Sequence, residues 1–121
     1  MAEVHLTEDA RDDLHDLDGA ARIAVLKGLK KLRTEPEKRG APLGNKASGN
    51  PTRFRKLVVG DRDWRIVYRV EPDGSVVVVW VIARRSDDEV YRLAMSRLRL
   101  HPTSAAREFV TVLDELWGRQ G

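Results

Sequence analysis

Apolar and polar positions change their period several times along the chain, and each change predicts an element. Val4-His5-Leu6 alternates as a short strand does. Thr7 follows as an N-cap, and Glu8 and Asp9 stand where the positive end of a helix dipole favours acids. Ala10, Leu14, Leu17 and Ala21 are spaced 4-3-4, which predicts one buried helical stripe. Asp18-Gly19 interrupts that stripe and predicts a tight helical hairpin or a kink. Ile23, Leu26, Leu29 and Leu32 continue as a second helix, with Lys27, Lys30, Lys31 and Arg33 on its polar side, and Pro36 stops it.

Residues 36–52 hold Pro36, Gly40, Pro42, Gly44, Ser48, Gly49 and Pro51, a composition that predicts a loop. Three strands follow: Phe54 to Val59, Trp64 to Val70 and Val76 to Ile82. Asp61-Arg62-Asp63 turns between the first two, and Pro72-Asp73-Gly74 between the others, where glycine accepts the positive φ of a hairpin turn. The run Val76-Val77-Val78-Val79-Trp80-Val81-Ile82 has no polar break, as expected of a strand covered on both faces. The short connections make these strands an antiparallel meander. Ser86-Asp87-Asp88-Glu89 is a capping box opening a helix through Val90, Leu93, Ala94 and Leu98, which His101-Pro102 breaks. Ala106, Phe109, Val110, Leu113, Leu116 and Trp117 form the stripe of a last helix, capped by Thr103 or Ser104 and ended by Gly118. The fold class is α+β. A helical hairpin packs on a small, mainly antiparallel sheet in the order β-α-α-β-β-β-α, with an extra C-terminal helix.

The length of 121 residues fits one domain with a hydrophobic core that needs no staples. The absence of cysteine excludes a disulfide scaffold, thiolate metal sites and a cysteine nucleophile. No apolar run approaches the roughly 18 residues of a membrane helix, and the first residues lack the basic and apolar regions of a signal peptide. A soluble, cytoplasmic protein with no membrane partner is expected. The formal charge of +3 hides an asymmetry: residues 1–26 carry −5, residues 27–72 carry +8, and residues 73–121 are balanced. Such a basic block attracts polyanions at long range, or simply keeps a surface soluble.

His5, His15 and His101 have no partners at metal-ligand spacing, and neither a dinucleotide fingerprint nor a P-loop lysine motif occurs. No metal or cofactor is expected. The arginines on the strands are more informative. Arg65 and Arg69 share one face of their strand, Arg53 and Arg55 share one face of the preceding strand, and Arg84-Arg85 end the third. Tyr91 lies six residues beyond Arg85, inside the following helix. Arginines from three adjacent strands can thus converge beside an aromatic ring, where guanidinium groups hold phosphate and tyrosine stacks on a base. The same residues also suit a solvated sheet face, with Arg69 paired to Glu71 or Glu3 and Arg85 to Asp88 or Glu89.

Phe54-Arg55-Lys56-Leu57, Trp64-Arg65-Ile66-Val67-Tyr68, Val77 to Ile82, and Arg85 followed by Glu89-Val90-Tyr91 together resemble the RelE/ParE-superfamily toxins of bacterial type II toxin–antitoxin systems, nearer RelE than ParE. The resemblance covers residues 2–98, leaving 99–121 as a C-terminal helical extension of the same domain. It implies a ribosome-dependent messenger RNA endonuclease that cuts in the A site and inhibits translation. In that reaction a ribose 2′-hydroxyl attacks the adjacent phosphate without a metal. It also implies a cognate antitoxin as partner, alongside the ribosome and messenger RNA. Arg65 matches the family arginine that steadies the scissile phosphate, Arg85 the one near the leaving group, Tyr91 the tyrosine near the 2′-hydroxyl, and Arg55 a basic residue on the preceding strand. Arg53, Lys56, Lys30, Lys31, Arg69 and Arg84 are the accompanying RNA-binding candidates. Leu57 stands where RelE members often carry a second lysine, and Lys56 is expected on the face opposite Arg55. Two other functions fit the same family: a ParE-like inhibitor of DNA gyrase, and a non-catalytic homologue that acts as a binding module. The C-terminal stripe suits core packing, cover for the sheet, a homo-oligomer contact or the place an antitoxin helix would take.

Overall fold

A computed structural model describes residues 2–43, 54–61, 64–72 and 74–100. Strand β1 (Glu3–Leu6) leads into helix α1 (Glu8–His15) and helix α2 (Gly19–Lys31). A 3-10 turn at Pro36–Lys38 and a two-residue strand β2 (Ala41–Pro42) follow. Strands β3 (Arg55–Val59), β4 (Trp64–Val70) and β5 (Val76–Ala83) then precede helix α3 (Asp87–Leu100). The strands form one sheet in the order β1-β5-β4-β3-β2. β2 to β5 pair antiparallel, and β1 lies parallel to β5. The α+β class and the helical hairpin agree with the sequence, and the last helix expected after Pro102 lies outside the described residues. No helix among the described residues is long and apolar enough to cross a membrane.

Local signals act where they were expected. Thr7 Oγ1 accepts from Ala10 N at 3.1 Å and caps α1. Gly74 takes φ +75 and donates its N–H to Glu71 O at 2.8 Å, closing the β4–β5 turn. Ser86 Oγ accepts from Glu89 N at 3.2 Å and starts α3. The capping serine therefore sets where α3 leaves the sheet, one residue before its first acid.

The sheet has an apolar layer on each face. Val4, Leu6, Ala10, Leu14, Val25, Leu29, Ile66, Tyr68, Val77 and Val79 fill the layer under α1 and α2. Phe54, Val67, Val78, Trp80, Val81, Val90 and Ala94 fill the layer under α3. β5 is thus buried on both faces, as its unbroken apolar run requires.

Three details depart from the periodicity. Ile23, expected inside, is 56% exposed, and α2 sits instead on Val25, Gly28, Leu29 and Leu32. The reason is Gly28: a Cβ there would stand 2.8 Å from Ile66 Cδ1 and Val59 Cγ1, so the helix approaches the sheet along this bare strip. The Gly/Pro-rich stretch after Pro36 also contains order. Gly40, at φ +59, passes so close that a Cβ would fall 1.9 Å from Lys56 O, and this lets β2 pair with Arg55 and Lys56. Finally, Val67 pairs with Val81 but Tyr68 with Val79, so Trp80 is an extra residue in β5. Trp80 and Val81 consequently both face α3, and the inside–outside alternation of β5 changes phase there.

Candidate functional site

The β3–β4 register decides which cations meet. Val58 opposes Arg65 and Lys56 opposes Val67, whereas Arg55 opposes Tyr68. Facing residues of an antiparallel pair project to the same side, so Lys56 and Arg65 share the α3 face with Val67. Arg55 lies on the other face, with Tyr68, under the helical hairpin.

On the α3 face, Lys56 and Arg65 converge on one carboxylate. Lys56 Nζ donates to Asp87 Oδ2, and Arg65 Nε donates to Asp87 Oδ1 at 2.5 Å. Arg65 Nη1 also donates to the backbone carbonyl of Arg85 at 2.5 Å. The lysine and arginine side chains are only 20% and 22% exposed, while Asp87 is 45% exposed. Burial pushes the Asp87 carboxyl upward, but the hydrogen bonds and charges of Lys56 and Arg65 outweigh it and hold the group below the usual aspartate value.

Tyr91 lies one helical turn beyond Asp87, at i and i+4 on α3, so the two project from the same side of the helix. Tyr91 is partly buried against the α3-side core. Arg84 and Arg85 are exposed in the turn between β5 and α3. Arg69 continues the basic row along β4 and stands 5.9 Å above the Phe54 ring centroid, in cation–π contact rather than paired with Glu71 or Glu3. Asp88 takes Arg92 at 2.5 Å and Glu89 takes the Ser86 hydroxyl at 3.0 Å, so neither holds Arg85.

The other sequence candidates fall elsewhere. Arg55 donates to Arg39 O through Nε at 3.2 Å and Nη2 at 2.9 Å. The Tyr68 hydroxyl reaches the same carbonyl at 2.6 Å and Pro36 O at 2.9 Å, and burial pushes its pKa up. Arg55 thus ties down the segment leading to β2 and does not join the Arg65 cluster. Lys30 and Lys31 are exposed at the end of α2, across the sheet from α3. Arg53 lies outside the described residues.

Two groups escaped the sequence. Asp87 looked like one of three acids in a first turn, and nothing local marks it as the partner of β3 and β4. Asp13 and Arg97 form a second concealed pair, at 2.7 and 3.2 Å. Asp13 Oδ2 also accepts from Ile82 N at 3.0 Å, and Arg97 Nη1 donates to Trp80 O at 2.9 Å. β1 stops pairing at Val79, so these two side chains satisfy the edge of β5 beyond it.

The chain that brings Lys56, Arg65 and Asp87 together is similar to known proteins in sequence and fold. Residues 4–89 match the family described as ParE toxin of type II toxin-antitoxin system, parDE. A chain of the toxin–antitoxin complex RelBE2 from Mycobacterium tuberculosis is 27% identical, with a TM-score of 0.57, over 69% of this chain and 98% of that one. A free-state mutant of the Escherichia coli toxin RelE is 23% identical, with a TM-score of 0.60, over 81% of this chain and 99% of that one. The isolated E. coli RelE toxin is 21% identical, with a TM-score of 0.59 and the same coverage of 81% and 99%. No curated protein matches the sequence. The chain belongs to the ParE toxin family of type II toxin–antitoxin systems, within the RelE/ParE superfamily.

Proposed function

We propose that this toxin cuts messenger RNA on the ribosome and is restrained by a cognate antitoxin that covers its basic face. The observation that carries this reading is the convergence of Lys56 and Arg65 on one anion beside the helix face of Tyr91. In the proposed reaction a ribose 2′-oxygen attacks the adjacent phosphorus, and its proton departs. The bond to the 5′-oxygen breaks, and that oxygen takes up a proton. The products are a 2′,3′-cyclic phosphate and a free 5′-hydroxyl. Charge builds up on the phosphorane oxygens, and fixed cations placed there lower the barrier. Arg65 and Lys56 take that role, Arg85 stands near the leaving oxygen, and Tyr91 lies near the 2′-hydroxyl, stacking on a base or helping to move the proton. Lys56 thereby replaces Arg55 in the site, because only Lys56 shares the face of Arg65.

The matched ParE family model favours a second reading, in which the toxin inhibits DNA gyrase by binding and uses the same basic face without RNA chemistry. Primer extension on a messenger loaded into ribosomes separates the two, with wild type, Arg65→Ala and Tyr91→Phe compared. Cleavage within the A-site codon that fades in both variants is the expected result. No cleavage by folded wild type, together with DNA breaks when gyrase is present, would overturn it in favour of the second reading.

A further inference from the structure

We infer that Asp87 is an internal anion occupying the phosphate position of Lys56 and Arg65, and that a phosphodiester enters this site by displacing it. The inference rests on the proposal that the site takes RNA, and it adds how the empty site is held. Lys56 and Arg65 each address a different oxygen of the one carboxylate, a two-oxygen arrangement that the non-bridging oxygens of a phosphodiester reproduce. Both cations have given up most of their contact with water, so their charge needs a partner at all times. Asp87 is the most exposed of the three, so the anion side of the cluster is the side open to solvent.

The neighbourhood favours exchange. Asp87 sits on the first turn of α3, two residues beyond Arg85 and close in sequence to the exposed pair Arg84 and Arg85, where an incoming strand meets positive charge. Arg65 keeps its Nη1 bond to the Arg85 carbonyl, so it stays oriented when Asp87 leaves Nε. Together the two cations and Asp87 carry a charge of +1, and exchanging Asp87 for a phosphodiester leaves that local balance unchanged. Free Asp87 then competes with substrate, and the site discriminates against anions that cannot bridge both cations.

The test is the affinity of the full-length toxin for a fluorescein-labelled 2′-O-methyl RNA hexamer, which binds but cannot supply the attacking 2′-hydroxyl. Asp87→Asn keeps the size and helix position of the side chain and removes the competing charge. It should bind at least about tenfold tighter than wild type, while the salt slope stays the same, because the number of phosphates neutralised is the same in both proteins. Asp88→Asn makes the same charge change one residue away and should bind within about twofold of wild type. Equal or weaker binding by Asp87→Asn overturns the inference, as does an equal gain in Asp88→Asn, because the effect is then one of overall charge. In wild type, the Arg65 Nε–Hε resonance should move on saturation with the hexamer, and an unmoved resonance overturns it without recourse to any variant. Ribosomal cleavage is a separate readout: its absence removes the nuclease reading and leaves the displacement standing, whereas equal affinities remove the displacement with cleavage intact.

Discussion

Arg97 of α3 grips Asp13 of α1 through both guanidinium Nη atoms, at 2.7 and 3.2 Å, across the end of β5. The pair joins helices on opposite faces of the sheet and holds α3, and with it Asp87 and Tyr91, in register with the bulge at Trp80. Removing one member of a buried pair strands the other charge, which costs about 3–5 kcal/mol. The remaining exposure of 15% and 20% places Arg97→Met near the lower end of that range. Urea unfolding measures it, and Asp13→Ala combined with Arg97→Met should cost less than the two single changes together.

The face assignment of the strand cations predicts opposite phenotypes for neighbours in sequence. Arg65→Ala should lower ribosomal cleavage by about 10²-fold or more, the order seen when one donor to a developing oxyanion is lost. Lys56→Ala should act in the same direction. Arg55→Ala should leave the rate per folded molecule within about twofold and lower the thermal midpoint, because its bonds go to Arg39 and Gly40 carbonyls. Equal rate losses at Arg55 and Arg65 would remove this distinction.

Tyr68→Phe tests the buried anchor under the hairpin. The hydroxyl bonds the Arg39 and Pro36 carbonyls, and its loss should cost about 0.5–1.5 kcal/mol, because Arg55 still donates to Arg39 O and Arg39 N still donates to Pro36 O. The folded pKa of Tyr68 is raised above 10.0, so its contribution is complete below pH 10.0 and is lost as pH rises through the folded value. Wild type should therefore lose stability above pH 10.0 by an increment that Tyr68→Phe lacks.

Asp87 predicts a dependence at the acid end. Its folded pKa lies below 3.8, so the stabilisation it supplies is present above that value and is lost as pH falls through the folded pKa. The difference in thermal midpoint between wild type and Asp87→Asn should be constant from pH 5 to 7 and shrink below pH 3.8. A difference unchanged through that window would show that the carboxylate charge contributes nothing to holding Lys56 and Arg65.

The parts of this protein legible in its sequence are those governed by neighbours within a few residues. Thr7 and Ser86 cap helices because a side-chain oxygen three residues upstream meets a free N–H. Gly74 turns a hairpin because it accepts positive φ. The alternation of Trp64 to Val70 placed Arg65 on the face opposite Ile66 and Tyr68, and the order of the strand motifs carried the family likeness. Tertiary structure decided the rest. An unbroken apolar run such as β5 carries no phase information, so the bulge at Trp80 appears only when β4 pairs with it. The seating of α2 on Gly28 rather than Ile23 depends on the side chains of Val59 and Ile66 beneath it. The choice of Lys56 over Arg55 follows from which face α3 covers. Asp87 meets Lys56 across 31 residues, and Arg97 meets Asp13 across 84. Charges at such separations are brought together by packing of the sheet and helices, and no local spacing records which of 22 basic and 19 acidic residues will be partners.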